Sequence, residues 1–273
     1  MNAEVAARLD RGSFTRRAIH ELGPPLAGLL GLLLVWTAVA ALTTTTAIPS
    51  PASVWQAFRH DVANTTIPAA ALKTLFRLAF SFVAAIAIGT AIGLVLAQNE
   101  FARRSLRPIV VALQITPSIA WLPLAVIWFG ATERAVVFVA VVGAFPSMTL
   151  ATISAMRQVP PILTRAGRTL GARGWALYRE VIFPAALPGY VAGLQQAWGF
   201  AWKALMAAEL IITAAGATGL GHLLATSTAP NRVPTLVAVV AVIVLIGVAV
   251  DYLVFGRLDR RIRRRRGLLV DEA

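Results

Sequence analysis

The chain has no cysteine, only two lysines and only three histidines in 273 residues. Without thiols it has neither a disulfide framework nor a thiolate metal site. His20, His60 and His222 are scattered and show no ligand spacing, so no metal site is expected. A phosphate-binding loop ends in Gly-Lys-Ser/Thr, but here Lys73 follows Leu72 and Lys203 follows Trp202. The chain therefore carries no such nucleotide site, and any ATP that drives its work is hydrolysed elsewhere. No nucleophile–base pair is evident, so no catalytic residue and no enzyme activity are expected. No repeat of about 20–50 residues is visible. Charge is scarce as well: 14% of residues, against about a quarter in a soluble domain.

Apolar residues, at 58%, take the place of charge. They cannot all be hidden in one water-soluble core, so a bilayer is the expected solvent. A membrane span needs about 20 apolar residues at about 1.5 Å each. Six runs qualify: 24–42, 68–97, 108–129, 135–156, 186–213 and 233–255. Each must satisfy its own backbone hydrogen bonds, which makes them helices. None shows the alternation of a barrel strand. The first run is longer than the about 7–15 residues of a signal-peptide core and reads as an uncleaved span.

The net charge of +13 does not point to nucleic acid, because the basic residues fall in the gaps between apolar runs. Nineteen lie in the N-terminus, in 98–107, in 157–184 and in the tail from Arg257; three, Arg59, Arg134 and Arg232, lie in the other gaps. The positive-inside rule then puts both termini and segment 157–184 in the cytoplasm. Residues 1–23 form a cytoplasmic N-terminal segment, 24–256 the six-span domain, and 257–273 a basic tail suited to anionic lipid.

Within the runs, Ala85, Gly89, Gly93 and Ala97 recur every fourth position, a smooth stripe for close helix approach. Pro117 and Pro123 in run three, and Pro146 in run four, remove backbone donors and are expected to kink or unwind their helices.

Segment 157–184 has a different character. Pro160 and Pro161 can open a helix that carries Ile162, Leu163, Ala166 and Leu170 on one face. Gly171 can end it in a left-handed conformation. A second helix follows with Trp175, Tyr178 and Ile182 at helical spacing, and Pro184 closes it. On these residues alone the product is a helix–turn–helix under the membrane, either an amphipathic connector or a docking element.

Arg165-Ala166-Gly167-Arg168-Thr169-Leu170-Gly171-Ala172, followed by Ile182, Pro184 and Pro188, resembles the EAA loop of ABC-importer permeases. Ile48-Pro49-Ser50-Pro51, Thr74-Leu75-Phe76-Arg77, Thr116-Pro117-Ser118-Ile119-Ala120-Trp121-Leu122-Pro123-Leu124, Trp128-Phe129-Gly130, Ala201-Trp202, Ala208-Glu209-Leu210 and Gly219-Leu220-Gly221 resemble, in order, blocks of the nitrate/sulfonate/taurine branch. The pattern departs at Arg165, where the family usually has Glu, and at Gly167, where it has Ala. The resemblance implies an all-α permease whose loop (Arg165, Ala166, Gly167, Leu170, Gly171, Ala172, Ile182, Pro184) couples to an ATPase. It further implies two ATPase subunits that bind ATP and Mg, a second permease copy as a homodimer, an extracytoplasmic binding protein, and a place in the bacterial inner or plasma membrane. The implied solute is nitrate, a sulfonate or taurine, with a small organic precursor such as a thiamine pyrimidine as the alternative. A stand-alone secondary transporter or channel is more remote, since it needs no docking loop.

Candidate pathway residues are Arg77, Thr116, Pro117, Trp121, Trp202, Lys203, Met206 and Glu209. Gln195, Gly199, Trp202, Met206 and Glu209 share one helix face, which is either pathway-lining or part of a structural network. Lys203 and Glu209 stand roughly 120° apart on an ideal helix, too far round for a direct pair. Lys73 and Arg77, one turn apart, repel each other. They either snorkel to the outer interface or form a cationic entrance for an anion. Asp251 is expected near the interface, within reach of the tail arginines.

Overall fold

The computed structural model describes residues 23–24, 27–43, 48–212 and 218–265. Within them all regular structure is helical. The N-terminal segment with Arg8, Arg11, Arg16 and Arg17, the tail beyond Arg265 and part of the 214–232 loop lie outside the described residues.

The helices are α1 (Ala27–Leu42), α2 (Pro51–Ala63), α3 (Thr66–Gln98), α4 (Glu100–Ile115), α5 (Leu122–Phe129), α6 (Glu133–Arg157), α7 (Pro161–Thr169), α8 (Gly174–Leu177), α9 (Phe183–Ile211), α10 (Leu220–Thr226), α11 (Val233–Val250) and α12 (Gly256–Arg265). Among the described residues, three helices can cross a membrane by length and apolar composition: α3, α6 and the continuous stretch Pro230–Ile262 that contains α11. The bent pair Glu100–Ile115 and Ser118–Phe129 makes a fourth. α9 is 29 residues long but is not among them; it carries Gln195, Gln196, Lys203 and Glu209.

The third expected run is not one straight span. Its two pieces meet at 98°. Pro117 disfavours the α conformation at the residue before it, and Thr116 accordingly takes ψ 124°. The chain then passes through a short turn over Ser118–Trp121, and Pro123 sits in the first turn of α5, where it disrupts nothing. Pro146 does not unwind its helix, because α6 runs unbroken from Glu133 to Arg157. Its side chain is fully buried, on a helix that packs against both α3 and α9.

α6 is the axis of the bundle, packed along its length by α3 and α9. Small residues set the spacing. A Cβ built on Gly89 would stand 2.7 Å from the Phe145 carbonyl oxygen and from Met148 Cβ; one on Gly143 would stand 2.6 Å from Ala204 Cβ. Backbones this close leave no room for a methyl group, which is what the Ala85–Gly89–Gly93 stripe provides. Buried Thr149 and Thr152 donate to the carbonyls of Phe145 (2.9 Å) and Met148 (2.8 Å), so neither hydroxyl is stranded in the apolar core.

Candidate functional site

Three features carry chemistry: a charge network at the Glu133 end of the bundle, a groove along α9, and the segment between α6 and α9.

The network closes around Glu209, which is 2% exposed. The Arg77 guanidinium donates to Glu209 Oε1 at 2.9 Å, to the Thr218 carbonyl at 2.7 Å and to Glu133 Oε1 at 2.8 Å. Thr74 Oγ1 lies 2.8 Å from Glu209 Oε2 and accepts the Leu220 N–H at 2.9 Å. The Gly221 N–H donates to Glu209 Oε2 at 3.1 Å. Lys73 Nζ reaches Glu133 at 3.1 Å. Gly219 fits because a Cβ there would sit 2.6 Å from the Glu209 carboxylate.

The sequence blocks Thr74–Arg77, Ala208–Leu210 and Gly219–Gly221 thus meet at one carboxylate. Lys73 and Arg77 are not left as two unpaired, repelling cations; both reach Glu133, and Glu209 takes the second guanidinium arm, while Lys73 stays 40% exposed. Sequence reasoning missed Glu133. The available signal was an acidic residue opening α6, at the same end of the bundle as Lys73 and Arg77.

The expected face of α9 divides. Glu209 belongs to the network, and Met206 packs against the apolar core. Gln195, Gly199 and Trp202 line a groove of about 340 Å³ with Trp198, Lys203, Gly247, Val248, Asp251 and Tyr252. Asp251 accepts from Gln195 Nε2 at 2.8 Å, so its described partner lies on α9 and not among the tail arginines. Trp198 and Trp202 stack with ring centroids 6.2 Å apart. Lys203 Nζ lies 4.9 Å from the Phe200 ring centroid and has no carboxylate partner among the described residues. Thr116 and Pro117 lie at the α4–α5 bend, where the following Ser118 closes on Gly143 beside Ala204. Trp121 packs on the core there.

In the third feature, α7 ends as the glycine predicts. Gly171 takes φ +91°, and the N–H groups of Gly171 and Ala172 return to the carbonyls of Arg168 and Gly167. Gly167 is buried: a Cβ there would stand 2.8 Å from Val181 Cγ2 and 3.0 Å from Leu177 Cδ1. Its lack of a side chain is what lets α7 close on the return helix. Pro184 does not close a second short helix. α8 runs through a widened turn at Tyr178–Ile182 directly into α9. In that turn the Phe183 N–H reaches back to the Tyr178 carbonyl, and the turn accommodates the proline's missing donor. Ile182 and Pro184 are half-buried. Arg165, Ala166 and Arg168 are exposed, as are Leu170 (88%) and Trp175 (74%).

The chain is 27% identical to the bicarbonate transport system permease protein CmpB of Synechococcus elongatus over 86% of this chain and 88% of that one. It is 29% identical to the taurine transport system permease protein TauC of Escherichia coli K12, over 79% and 80%. Among solved structures, its fold matches a chain of the inward-facing MetNI methionine ABC transporter with TM-score 0.62. That match is 21% identical and covers 74% of this chain and 98% of that one. The binding-protein-dependent transport system inner membrane component family matches residues 85–264, a range that holds the stripe, the bend, the segment and Glu209 itself, while Thr74 and Arg77 lie before it. The chain belongs to that family and is a permease subunit of an ABC importer.

Proposed function

We propose that the imported solute is a small anion and that Lys203 is its counter-charge along the route. The observation that carries this is a cation without a carboxylate partner among the described residues, on a helix read as membrane-spanning, at the lip of a groove. An unpaired ammonium at bilayer depth needs water or a counter-ion. The relatives' solutes, bicarbonate and taurine, carry an anionic group small enough for such a groove. Thr116, Pro117 and Trp121 at the bend belong to the same route, and the Arg77–Glu209 network is the strut that fixes α9 against α3.

In this reading the chain spans the membrane six times, as an inner-membrane protein with both termini and α7 on the cytoplasmic side. It pairs with a second copy, and a binding protein delivers solute from outside. Two ATPase subunits hold ATP and Mg, and the chain itself needs no cofactor. Exposed Leu170, Trp175 and Ile162 with Arg165 and Arg168 supply an apolar, cationic face for the ATPase. The loop Arg165–Ala172, with Ile182 and Pro184 behind it, transmits ATPase closure to α9, because the return helix and α9 are one continuous rod.

The test is uptake of bicarbonate, nitrate and taurine by vesicles reconstituted with the permease, its ATPase and its binding protein. Lys203→Met is expected to lower anion uptake about tenfold, as for one lost charge-assisted contact, and to leave ATPase association intact. Normal anion uptake by Lys203→Met would remove Lys203 from the route.

A further inference from the structure

A second polar site lies at the opposite end of the bundle from Glu209. Arg103 and Arg107 stand one turn apart on α4, and Arg157 is the last residue of α6. With Ser154 and Gln158 they line a groove of about 440 Å³ whose floor is Leu150 and Ile153. All five polar side chains can donate. Gln158 Nε2 donates to Ser154 Oγ at 2.9 Å, which orients that hydroxyl and leaves its own proton free to be given.

The adjoining carboxylate, Glu100, is already engaged. It accepts from Arg103 and, at 2.8 Å, from Arg104 Nε, and it lies 3.9 Å from Arg157 Nη1. That pairing steadies Arg103, whose side chain is only 14% exposed. Arg107 has no hydrogen-bond or ion-pair partner among the described residues. The groove thus has three guanidinium forks, one carboxylate at its edge, an oriented hydroxyl and a primary amide.

We propose that this groove binds a phosphate group, carried either by an anionic phospholipid headgroup or by free phosphate. Guanidinium forks match phosphate oxygens in pairs, and hydroxyl and amide donors can fill the remaining lone pairs. The apolar floor beside the forks suits the glycerol end of a lipid at the cytoplasmic headgroup level. The stripe Arg257, Arg260, Arg261 and Arg264 on α12 differs: arginine alone lines it, with neither co-donor nor apolar floor. It offers charge without a fitted site.

The test uses the full chain purified into nanodiscs of phosphatidylcholine with a minor fraction of phosphatidylglycerol, reading retained lipid by native mass spectrometry. Arg107→Lys with Arg157→Lys keeps every positive charge, so topology is preserved while both forks are lost. We expect phosphatidylglycerol retention to fall about tenfold, the scale of one charge-assisted hydrogen bond. Arg168→Lys and Arg260→Lys should leave it unchanged. Millimolar inorganic phosphate that displaces the lipid, or raises the thermal midpoint of the wild type alone, identifies free phosphate as an occupant; no displacement and no shift assigns the site to the headgroup. Three results overturn the proposal: unchanged retention with no phosphate effect, an equal loss in the control variants, or a variant whose only defect is lost ATPase association. The last would make the occupant a partner's carboxylate.

Discussion

The two ends of α9 solve the problem of charge in opposite ways. At the Glu209 end, Arg77, Thr74, the Gly221 N–H and the Thr218 carbonyl pair with one another inside the chain, and Glu133 joins from α6, with only Arg77 Nε among the guanidinium nitrogens left without a partner among the described residues. At the Ile182 end, Arg165, Arg168, Leu170 and Trp175 point away from their own chain and are exposed. A buried polar group left unsatisfied is costly, so a network closed within the chain is a strut. A face that mixes exposed arginine with exposed leucine and tryptophan has the composition of an unfilled interface core. The difference separates residues paired within the subunit from residues left exposed on it, although both sets carry arginine.

The comparison breaks most sharply at Glu209. Glu209→Ala leaves the 7%-exposed Arg77 with only the exposed Glu133 as counter-ion. We expect a loss of about 3–5 kcal/mol, the scale for breaking a buried pair, read as a lower thermal midpoint and lower membrane yield. Glu209→Gln should lose nearly as much, because with its oxygen turned to Arg77 its NH₂ would face the Gly221 N–H, and the guanidinium would lose its buried counter-charge. The pair Arg77→Met with Glu209→Leu should recover part of the loss, since no charge is then left unpaired. A Glu209→Gln protein as stable as wild type would move the residue out of the strut.

The second effect lies at the turn. Gly171→Val forces a β-branched residue to φ +91° in open space, a backbone strain of about 1–3 kcal/mol with no clash added. Asn, which tolerates the left-handed region, should recover most of it. Val should leave the Arg77–Glu209 network intact and lower ATP-driven transport. Equal transport by Gly171→Val and wild type would mean the turn does not transmit motion.

How far the sequence was legible follows the same division. The small-residue stripe, the left-handed Gly171 and the run ends near Thr66, Glu133 and Phe183 were readable because they depend on local chemistry: spacing, turn residues and apolar length. The bend at Thr116 was readable as trouble but not as 98°, since that angle is set by how Ser118 packs near Gly143 and Ala204. Neither Pro146 nor Pro184 interrupts its helix, and for both the reason is the same. A proline's missing donor can be absorbed by flanking packing or by a widened turn, and neither shows in a window of sequence. Glu133 was missed because its partners are 56 and 60 residues away.

A smaller effect sharpens the exposed side of the comparison. Leu170→Ser should change the thermal midpoint by less than about 0.5 kcal/mol equivalent, as expected for a side chain 88% exposed in its own chain. The same substitution should weaken co-purification with the ATPase, because an exposed leucine buried in a partner's groove contributes apolar area only in the complex. A stability loss as large as that of Glu209→Ala would show that the permease itself covers this face.

The smallest expected effect on the fold is the most informative about the partner. Arg165 stands where the EAA pattern has Glu, and its side chain makes no described contact within the chain; only its carbonyl accepts, from Thr169. Arg165→Glu should therefore leave stability within about 0.5 kcal/mol of wild type. Its effect on ATPase stimulation depends on what faces it. If the ATPase groove presents an acid matched to arginine, the variant opposes like charges in a desolvated contact, and stimulation should drop several-fold. A charge reversal on the ATPase should then restore it. If the groove presents a base, as the usual Glu would require, the variant should bind better than wild type. Unchanged stimulation would show that Arg165 forms no ion pair, leaving Leu170 and Trp175 to carry the docking.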